Sequence, residues 1–432
     1  MSKQVVVVGG GIVGLTAAYF AAKRGDNVTL IEASPLLGGL LKSSETDFGY
    51  FDYGVHIASQ TGAPALDEFL FSNTEELLYR FEVQESGSFI GHELTQFSPF
   101  LNLNSCGQEI ANKASAELVY YNETKAYDNL AQIIKATYGE TAYQVAYAPF
   151  IQQTFGVEPV ELPSYYINFF DMYRVVAFDQ KTTEQLKQVN YLNDRLGFHQ
   201  HTKGAPKYYP LKGGIGAWTE YLSQQVVEAG VEIIVGHSVD KISPISAGFD
   251  ISYAEKTLHV DELIWTVSSA LLPRYLPFNT QLQRPNFRKT ALFDFIFEQP
   301  LNTRCKYINN FEATHISTRL TCYQNLVPVS SFFATTVEVL VDYIDDENQL
   351  LEQVATELVA MGLVNKNNPC KFKQCRPVGE GFPVITVEND RLLKQLNQEV
   401  LEKYSNITLL GRSSSKGFFM SELLVDAYNS CC

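Results

Sequence analysis

The chain has 432 residues and a formal net charge of −15, with 45% apolar and 19% charged residues. This length exceeds that of one core of ordinary size, so we expect at least two domains with sizeable apolar interiors. A surface this acidic repels phosphate backbones and anionic lipid, which disfavours nucleic acid and membrane partners.

Targeting and metal-binding signals are weak. No run approaches the roughly 18 to 20 apolar residues of a membrane span, and no basic segment precedes Val5–Val8 as in a signal peptide. The seven scattered cysteines do not predict a disulfide framework. Cys370 and Cys375 lack a second pair to complete a zinc site. We therefore expect a cytoplasmic protein without a metal, a monomer or homodimer that acts on a small molecule.

The first 32 residues predict a strand–helix–strand unit. Residues 4–8 (QVVVV) and 28–32 (VTLIE) are apolar runs of the kind found in buried parallel strands. Between them, residues 12–24 carry small and apolar side chains at helical spacing and end before Gly25, a helix-terminating glycine.

The rest of the chain changes character twice. Residues 62–200 predict long amphipathic helices, such as 123–137, joined by aromatic-rich connections. After a glycine signal at 213–216, the pattern predicts further elements in chain order. These are a helix at 217–229, strands at 231–235, 249–253 and 262–266, sheet segments at 290–298 and 332–343, a strand at 406–410, and a helix from about 418 to 428.

This order predicts an α/β protein with one domain assembled from three chain segments. The nucleotide-binding signals fall in residues 1–60, 205–275 and 395–432, which together form a Rossmann-type domain. Residues 61–204 are expected to be a mainly helical insertion, and residues 276–394 a substrate domain with a mixed sheet.

The strongest motif is the glycine-rich turn Gly9–Gly14, which matches G-x-G-x-x-G between a strand and a helix. Gly9 permits the tight turn, Gly11 permits close approach to a pyrophosphate, and Gly14 permits close packing of helix on sheet. Free N–H groups and the helix dipole then hold the negative charge. Glu32 ends the second strand, where its carboxylate can accept hydrogen bonds from ribose hydroxyls but disfavours a 2′-phosphate. The structural alternative is a chance glycine turn in an α/β protein.

The choice between NAD and FAD depends on the next loop. Six positions after Glu32 the chain has Gly38–Gly39. This extension resembles the FAD signature of the amine oxidase-like superfamily, which includes amine oxidases, protoporphyrinogen oxidase, phytoene desaturases and UDP-galactopyranose mutase. The resemblance implies FAD as the cofactor. Leu40 stands where many members carry arginine.

A second motif, Asp52–Ile57, resembles the D-x-G-x-H stretch of the protoporphyrinogen oxidase-like group. That resemblance places the loop beside the isoalloxazine ring and gives His56 a role in stacking on the flavin or donating to it. The alternative is a structural histidine satisfied by local backbone. Tyr209–Gly216 is similar to the Y-P-x-G-G-x-G segment of the same group.

Leu410-Gly411-Arg412 resembles the closing FAD motif. The resemblance implies that the helix beginning near Phe418 points its N-terminus at the flavin and that Arg412 adds positive charge, the alternative being a salt bridge at a strand end. The cofactor contacts implied along the whole chain are Gly9, Gly11, Ile12, Val13, Gly14, Glu32, Ala33, Gly38, Gly39, Leu40, Gly54, Val55, His56, Val239, Thr266, Gly411, Arg412 and Met420.

The C-terminal third is most similar to the mutase and protoporphyrinogen oxidase-like branch. In the mutases an arginine on the substrate sheet faces the substrate cavity, which corresponds to Arg319 here. The tyrosines that hold the sugar nucleotide in mutases are replaced by Lys416, Phe418 and Phe419, and the aspartate of their N-M-D motif is missing near Met420. The candidate catalytic residues are therefore His56, Arg319 and Arg412.

Three functions remain open at this point. The favoured one is an FAD-dependent oxidoreductase that takes a hydride from a C–H bond beside a nitrogen or within a carbocycle or sugar. The second is a mutase-like enzyme in which Arg319, Arg174 and Arg412 hold an anionic nucleotide sugar. The third is a non-catalytic FAD-binding protein.

Overall fold

The computed structural model describes residues 2–120, 126–200, 203–328, 333–379 and 381–432. The chain forms two compact units. The first unit comprises Met1–Arg80, Ala205–Arg284 and Glu388–Cys432, and the second comprises Phe81–Gly204 and Pro285–Val387.

The strands of the described residues are numbered in chain order. Those up to residue 210 are β1 (Gln4–Val8), β2 (Asn27–Glu32), β3 (Ser43–Thr46), β4 (Gly49–Asp52), β5 (Ala58–Ser59), β6 (Leu78–Val83), β7 (Ser86–Ile90), β8 (Glu93–Thr95), β9 (Leu101–Asn102), β10 (Val175–Val176) and β11 (Lys203–Pro210). The remainder are β12 (Glu232–Val235), β13 (Lys241–Ile245), β14 (Gly248–Tyr253), β15 (Lys256–Val260), β16 (Glu262–Trp265), β17 (Asn286–Phe297), β18 (Tyr307–Asn310), β19 (Ser317–Cys322), β20 (Phe333–Val341), β21 (Cys370–Pro377), β22 (Phe382–Val384) and β23 (Ile407–Leu409).

The α-helices are numbered in the same way. They are α1 (Ile12–Lys23), α2 (Pro64–Phe71), α3 (Gln108–Val119), α4 (Leu130–Ala142), α5 (Ala148–Phe155), α6 (Gln180–Leu186), α7 (Asn190–Arg195), α8 (Gly216–Glu228), α9 (Glu347–Ala360), α10 (Val387–Lys403) and α11 (Met420–Cys431). Among the described residues, none of the helices combines the length and the apolar composition that a membrane crossing requires.

The first unit is organised around a five-stranded sheet in the order β12-β2-β1-β16-β23. All four pairings are parallel. The strands come from all three segments of the unit, and buried residues such as Val6, Leu263 and Leu409 form its core. A three-stranded antiparallel sheet, β13-β14-β15, lies in the same unit. The order of the parallel sheet reverses direction at β1, the position at which open α/β sheets bind ligands.

The second unit contains a mixed eight-stranded sheet. Seven strands follow the order β21-β17-β20-β19-β18-β7-β8, and β22 pairs with β17. The β18–β7 pair is parallel, whereas β17, β19 and β20 pair antiparallel. One face packs with α9 in an apolar cluster that includes Phe293, Val337 and Val354. A second cluster gathers the helices of residues 108–196 around Tyr147 and Phe170.

The predicted fold class is confirmed: the chain combines a parallel Rossmann-type sheet with a mixed sheet and helices. The structure differs from the expected segmentation. The predicted helical insertion and the predicted substrate sheet lie together in the second unit. Residues 78–102 also contain four strands that helical patterning did not predict. Two of them, β7 and β8, complete the mixed sheet, and β7 is buried at every position, so it shows no alternation of polar and apolar residues.

Two helix boundaries also differ from the predictions. Part of the predicted helix 123–137 lies outside the described residues, and α4 begins at Leu130. Asn129 fixes this start, because its side chain accepts a hydrogen bond from the backbone N–H of Gln132 (3.0 Å). The last helix begins at Met420 rather than near Phe418.

Candidate functional site

The carboxyl ends of four neighbouring strands carry most of the predicted cofactor residues. Gly9 follows β1, Glu32 ends β2, Thr266 follows β16 and Gly411 lies two residues after β23. The parallel register pairs Val8 with both Ile31 and Trp265, and Trp265 with Leu409. The sheet therefore brings together residues from three distant chain segments at the edge where α/β sheets bind ligands.

The glycine turn packs closely against the residues that follow β16. Gly9 has a φ of +106°, and a Cβ atom there would lie 2.5 Å from the Thr266 hydroxyl. A Cβ on Gly14 would lie 1.8 Å from the carbonyl oxygen of Gly9. The Thr266 hydroxyl donates to the carbonyl oxygens of Val8 (2.9 Å) and Gly9 (3.1 Å). The Thr266 side chain thus holds the backbone of the turn in place. Gly9 and Gly14 must be glycine, because a Cβ atom at either position would clash with neighbouring atoms.

Gly11 differs from these glycines because it faces open space. A Cβ atom there would meet no atom within 4 Å, and its φ of −71° suits any residue. Gly11 is also the N-cap of α1, and it makes no side-chain capping hydrogen bond. An uncapped helix N-terminus with free space before it is a suitable place for an anion. These features fit the pyrophosphate of a dinucleotide.

Glu32 is fixed by backbone donors. Its Oε2 accepts a hydrogen bond from the N–H of Gly10 (2.6 Å), and its Oε1 accepts one from the N–H of Ser34 (2.7 Å). A carboxylate has about four acceptor positions, so about two remain for ribose hydroxyls. The predicted ribose-binding role is therefore compatible with the contacts that Glu32 already makes.

The second glycine pair lies directly against the first turn. The N–H of Gly38 donates to the Gly10 carbonyl (2.8 Å), and Gly11 and Gly38 form an isolated parallel bridge. A Cβ on Gly39 would lie 3.4 Å from the Cα of Gly11. Leu40 has 56% of its surface exposed. Ala33 is also exposed.

The predicted flavin loop follows β4. Gly54 has a φ of +125° and is buried, while Val55 and His56 are half-buried. The Nε2 of His56 lies 3.3 Å from the carbonyl oxygen of Tyr53. This is the local contact expected for a structural histidine.

Asp52, in the same motif, has a role that the sequence did not reveal. It is fully buried and accepts hydrogen bonds from the hydroxyls of Ser43 and Tyr209, each 2.7 Å long. The N–H of Ile215 donates to it as well (3.0 Å). Asp52 therefore connects the predicted flavin loop to the Tyr209–Gly216 segment. The neighbouring motif matches were the available signal, but only the structure shows the contact.

Val239, another of the predicted cofactor contacts, is buried in the core with Val8 and Ile31. The chain before it is joined to β2, because the N–H of Gly236 donates to Ser34 O (3.0 Å) and that of His237 donates to Glu32 O (3.2 Å). Ile12 and Val13 open α1, and Val13 is buried.

The closing motif contains an acid, Glu422, beside the helix N-terminus and Arg412 that the prediction had named. Gly411 is buried and has a φ of +83°. Arg412 is exposed, and its guanidinium carbon lies 5.4 Å from the centre of the Phe418 ring. Glu422, in the first turn of α11, accepts hydrogen bonds from the N–H groups of Phe418 (2.8 Å) and Phe419 (3.0 Å). Its charge offsets part of the positive end of the helix. Met420 is the first residue of α11.

The predicted arginines of the second unit already have partners. Arg319 on β19 makes a two-point ion pair with Glu338, in which both N–O distances are 2.9 Å. Arg174 donates from one nitrogen to the carbonyl oxygens of Asn193 and Leu196. Arg319 is therefore charge-neutralised where the resemblance implied a free cation.

A known family matches the N-terminal part of the chain. A family profile described as an NAD(P)-binding Rossmann-like domain covers residues 7–71. This range contains the last two residues of β1, together with α1, β2, the Gly38–Gly39 loop and α2.

Two relatives from Staphylococcus aureus match in sequence. Coproporphyrinogen III oxidase is 26% identical over 281 residues, which is 59% of this chain and 58% of the relative. A 4,4'-diaponeurosporene oxygenase is 24% identical over 274 residues, or 56% and 50% of the two chains. The alignments thus span about half the length of the curated relatives that the chain matches.

Solved structures match over nearly the whole chain. Reduced UDP-galactopyranose mutase aligns with a TM-score of 0.75 at 16% identity, over 100% of this chain and 93% of that one. A protein provisionally assigned as a protoporphyrinogen oxidase, from Exiguobacterium sp. 255-15, aligns with 0.68 at 17% identity, over 100% and 98%. The predicted resemblance to the amine oxidase-like superfamily is confirmed. Putrescine oxidase, a third match at 0.65 and 13% identity over 100% and 98%, has the same fold. At these identities the superfamily likeness establishes the fold and leaves the substrate open.

Proposed function

We propose that this protein is an FAD-dependent oxidoreductase of the amine oxidase and protoporphyrinogen oxidase type, which abstracts a hydride from a small organic substrate. The observation that carries the proposal is the gathering of Gly11, Glu32, Gly38 and Gly411 at the carboxyl edge of one parallel sheet. The second glycine pair beside Gly11 favours FAD, since a cofactor that extends past its pyrophosphate needs a second close backbone approach.

In this proposal the residues of the first unit bind and orient the cofactor. The N-terminus of α1 holds the pyrophosphate, Glu32 accepts from the ribose, and Gly38–Gly39 permits close approach of the backbone. Bound FAD supplies the hydride acceptor. His56, Arg319 and Arg412 remain the candidate catalytic residues. Arg412 contributes positive charge near the flavin, and His56 stacks on the flavin or donates a hydrogen bond to it.

A second candidate is a mutase-like reaction on a nucleotide sugar. The TM-score of 0.75 with UDP-galactopyranose mutase supports it. The replacement of the mutase tyrosines by Lys416, Phe418 and Phe419 and the pairing of Arg319 with Glu338 weigh against it.

Gly11→Val tests the cofactor site. The added side chain meets no protein atom and needs no strained φ, so the fold should be retained while the space for the pyrophosphate is filled. We expect the wild type to be yellow and to release FAD on denaturation, and Gly11→Val to be colourless with a similar melting temperature.

The matched control for this test is Gly204→Val, because its Cβ also meets no atom within 4 Å and it lies outside the proposed site. This variant should keep its FAD. A yellow Gly11→Val protein, or a wild type that retains only NAD, would contradict the proposal.

Anaerobic titration separates the two candidate functions. Bleaching of the oxidised flavin by a porphyrinogen, an amine or a sugar substrate indicates net oxidation. Turnover of a nucleotide sugar only after reduction with dithionite indicates the mutase-like reaction instead.

A further inference from the structure

Three loops lie side by side at the carboxyl edge of the parallel sheet. They follow β1, β16 and β23, since the strand register pairs Val8 with Trp265 and Trp265 with Leu409. The loop after β16, residues 266–269, is the middle one, and we call it the middle loop. It therefore lies between the glycine turn that follows β1 and the closing motif, Gly411–Arg412, that follows β23.

Thr266, in the middle loop, contacts both neighbouring loops. Its hydroxyl donates to the carbonyl oxygens of Val8 (2.9 Å) and Gly9 (3.1 Å), at the start of the glycine turn. On the other side, a Cβ atom at Gly411 would lie 3.0 Å from the carbonyl oxygen of Thr266. Gly411 thus packs directly against the middle loop, and a shift of either glycine would displace Thr266, because close-packed backbone leaves little free space.

Ser413 holds the closing motif against the far end of the middle loop. Its hydroxyl accepts a hydrogen bond from the N–H of Ser269 (3.0 Å) and donates to the carbonyl oxygen of Val267 (3.4 Å). Its own carbonyl oxygen accepts from the Ser269 hydroxyl (3.4 Å) and from the amide of Asn397 on α10 (2.6 Å). Ser269 and Asn397 are only 1% and 6% exposed, so water has little access to these bonds.

These hydroxyls continue a connection that the sheet begins. At the strand ends, backbone hydrogen bonds run from Thr266 N–H to Val8 O (3.0 Å) and from Leu410 N–H to Trp265 O (2.9 Å). Beyond this point the chain leaves the sheet. There the hydroxyls of Thr266 and Ser413 bond to backbone that lies 257 and 144 residues away in the chain. Both hydroxyls are therefore placed to fix how the three loops lie relative to one another.

We propose that Thr266 and Ser413 are positioning residues that couple the glycine turn to the closing motif, so that both bind the cofactor as one unit. The middle loop transmits a displacement of one neighbour to the other, because Thr266 holds one of its ends and Ser413 holds the other. A cofactor then meets two loops that are already oriented, which lowers the entropic cost of binding. The inference rests on the proposed function for the identity of the cofactor, whereas the coupling of the loops needs no ligand.

Ser413→Ala tests the coupling without a cofactor. Amide hydrogen exchange is measured in the full-length protein after removal of any bound flavin. We expect the peptide containing Gly9–Gly14 to exchange about two- to tenfold faster in the variant than in the wild type, which is the effect of one lost hydrogen bond of ordinary strength. Exchange within α8 should not change, and this distinguishes loop coupling from a general loss of stability. Unchanged exchange at Gly9–Gly14 would overturn the proposal.

The matched control is Ser223→Ala. Ser223 is half-buried in the same unit, and its hydroxyl donates to the carbonyl oxygen of Thr219 within α8 (2.7 Å). Its removal should leave exchange at Gly9–Gly14 as in the wild type, and so should Ser413→Thr, which keeps the hydroxyl. Faster exchange at the glycine turn in Ser223→Ala as well would mean that the turn reports overall stability, and the proposal would fail.

A double-mutant cycle on FAD affinity provides a second test. Thr266→Val, Ser413→Ala and the double variant are compared with the wild type by titrating the flavin-free proteins with FAD and following flavin fluorescence. Each single substitution should weaken FAD binding about two- to tenfold, and the double variant should bind no more weakly than the weaker single variant. If Thr266→Val does not fold, Thr266→Ala replaces it in the cycle.

The outcomes of this cycle separate the two proposals. Factors that multiply in the double variant would show that the two loops act independently and would overturn the coupling. A wild type that binds no FAD contradicts the proposed function instead, and the hydrogen-exchange experiment on Ser413→Ala still decides whether the loops are coupled.

Discussion

The two units build their candidate sites from different materials. In the first unit, the candidate site consists mainly of backbone atoms. They are a helix N-terminus, glycines that permit close approach, and N–H groups that fix Glu32. In the second unit, the candidate residue Arg319 is a side chain on one strand, and only the sheet register brings it to its partner Glu338 on the next.

This difference determines how each site should respond to substitution. A site made from backbone tolerates no added atom at its tightest points, because the backbone around it cannot move aside. When a side chain in a site made from side chains is replaced, the protein should still fold. Its stability should fall by an amount set by the buried charge or hydrogen bond that is removed. Three substitutions test this distinction, in order of decreasing effect.

Gly14→Ala should have the largest effect. In an ordinary helix this change stabilises by about 0.5–1 kcal/mol. Here the added methyl would lie 1.8 Å from the Gly9 carbonyl oxygen, so α1 must separate from β1. The cost should exceed the roughly 1–3 kcal/mol of usual overpacking, enough to unfold a marginally stable protein. Soluble yield and thermal unfolding provide the measurement.

Gly11→Ala is the matched control for this prediction, three positions earlier in the same turn. Its Cβ meets no atom within 4 Å, so the melting temperature should stay close to that of the wild type. Equal stability of the Gly14 and Gly11 variants would show that backbone packing does not define this turn.

The sequence predicted the first unit well for the same reason. Glycines at these fixed offsets between a strand and a helix are typical of dinucleotide sites, so Gly9, Gly11 and Gly14 indicated the turn that the structure contains. The dinucleotide itself stays a prediction. The sequence did not indicate that Asp171 accepts hydrogen bonds from Tyr307 and Asn309, because these residues lie more than a hundred positions away, on β18. A local sequence pattern does not predict a contact between residues so far apart in the chain.

Arg319 illustrates a different limit of sequence reasoning. Its position was predicted from a resemblance, and it does lie on the mixed sheet. Its partner Glu338 was not predicted, since ion pairs across strands depend on register. Because Glu338 neutralises its charge, Arg319 is not the free cation that the resemblance implied.

Arg376→Met, a substitution in the second unit, should lower stability by an intermediate amount. Arg376 makes a two-point ion pair with Asp294, which is 0% exposed. Removing one partner leaves a buried charge, at a cost of about 3–5 kcal/mol. The free energy of unfolding, measured by chemical denaturation, should fall by this amount, and the protein should still fold.

Arg391→Met removes an exposed pair and serves as the control. Arg391 and Glu388 have side chains that are 60% and 50% exposed, so the change should cost at most about 1 kcal/mol. A further Asp294→Leu substitution added to Arg376→Met should recover part of the lost stability, because it removes the uncompensated charge. No recovery would mean that packing rather than charge accounts for the loss.

Asp52→Ala should have the smallest effect of the three, and it tests a buried side chain of the first unit. Truncation leaves the Ser43 and Tyr209 hydroxyls and the Ile215 N–H without their acceptor, at a cost of about 1–3 kcal/mol in total after relaxation. Asp52→Asn keeps one oxygen for Ser43 and Ile215, so it should lose less stability, and Asp47→Ala, at an exposed position, should lose almost none.

Because Asp52 joins the flavin loop to the start of α8, its loss should also weaken FAD retention, measured by fluorescence of released flavin. If Asp52→Ala lowers stability without changing FAD retention, Asp52 supports only the fold and takes no part in holding the cofactor.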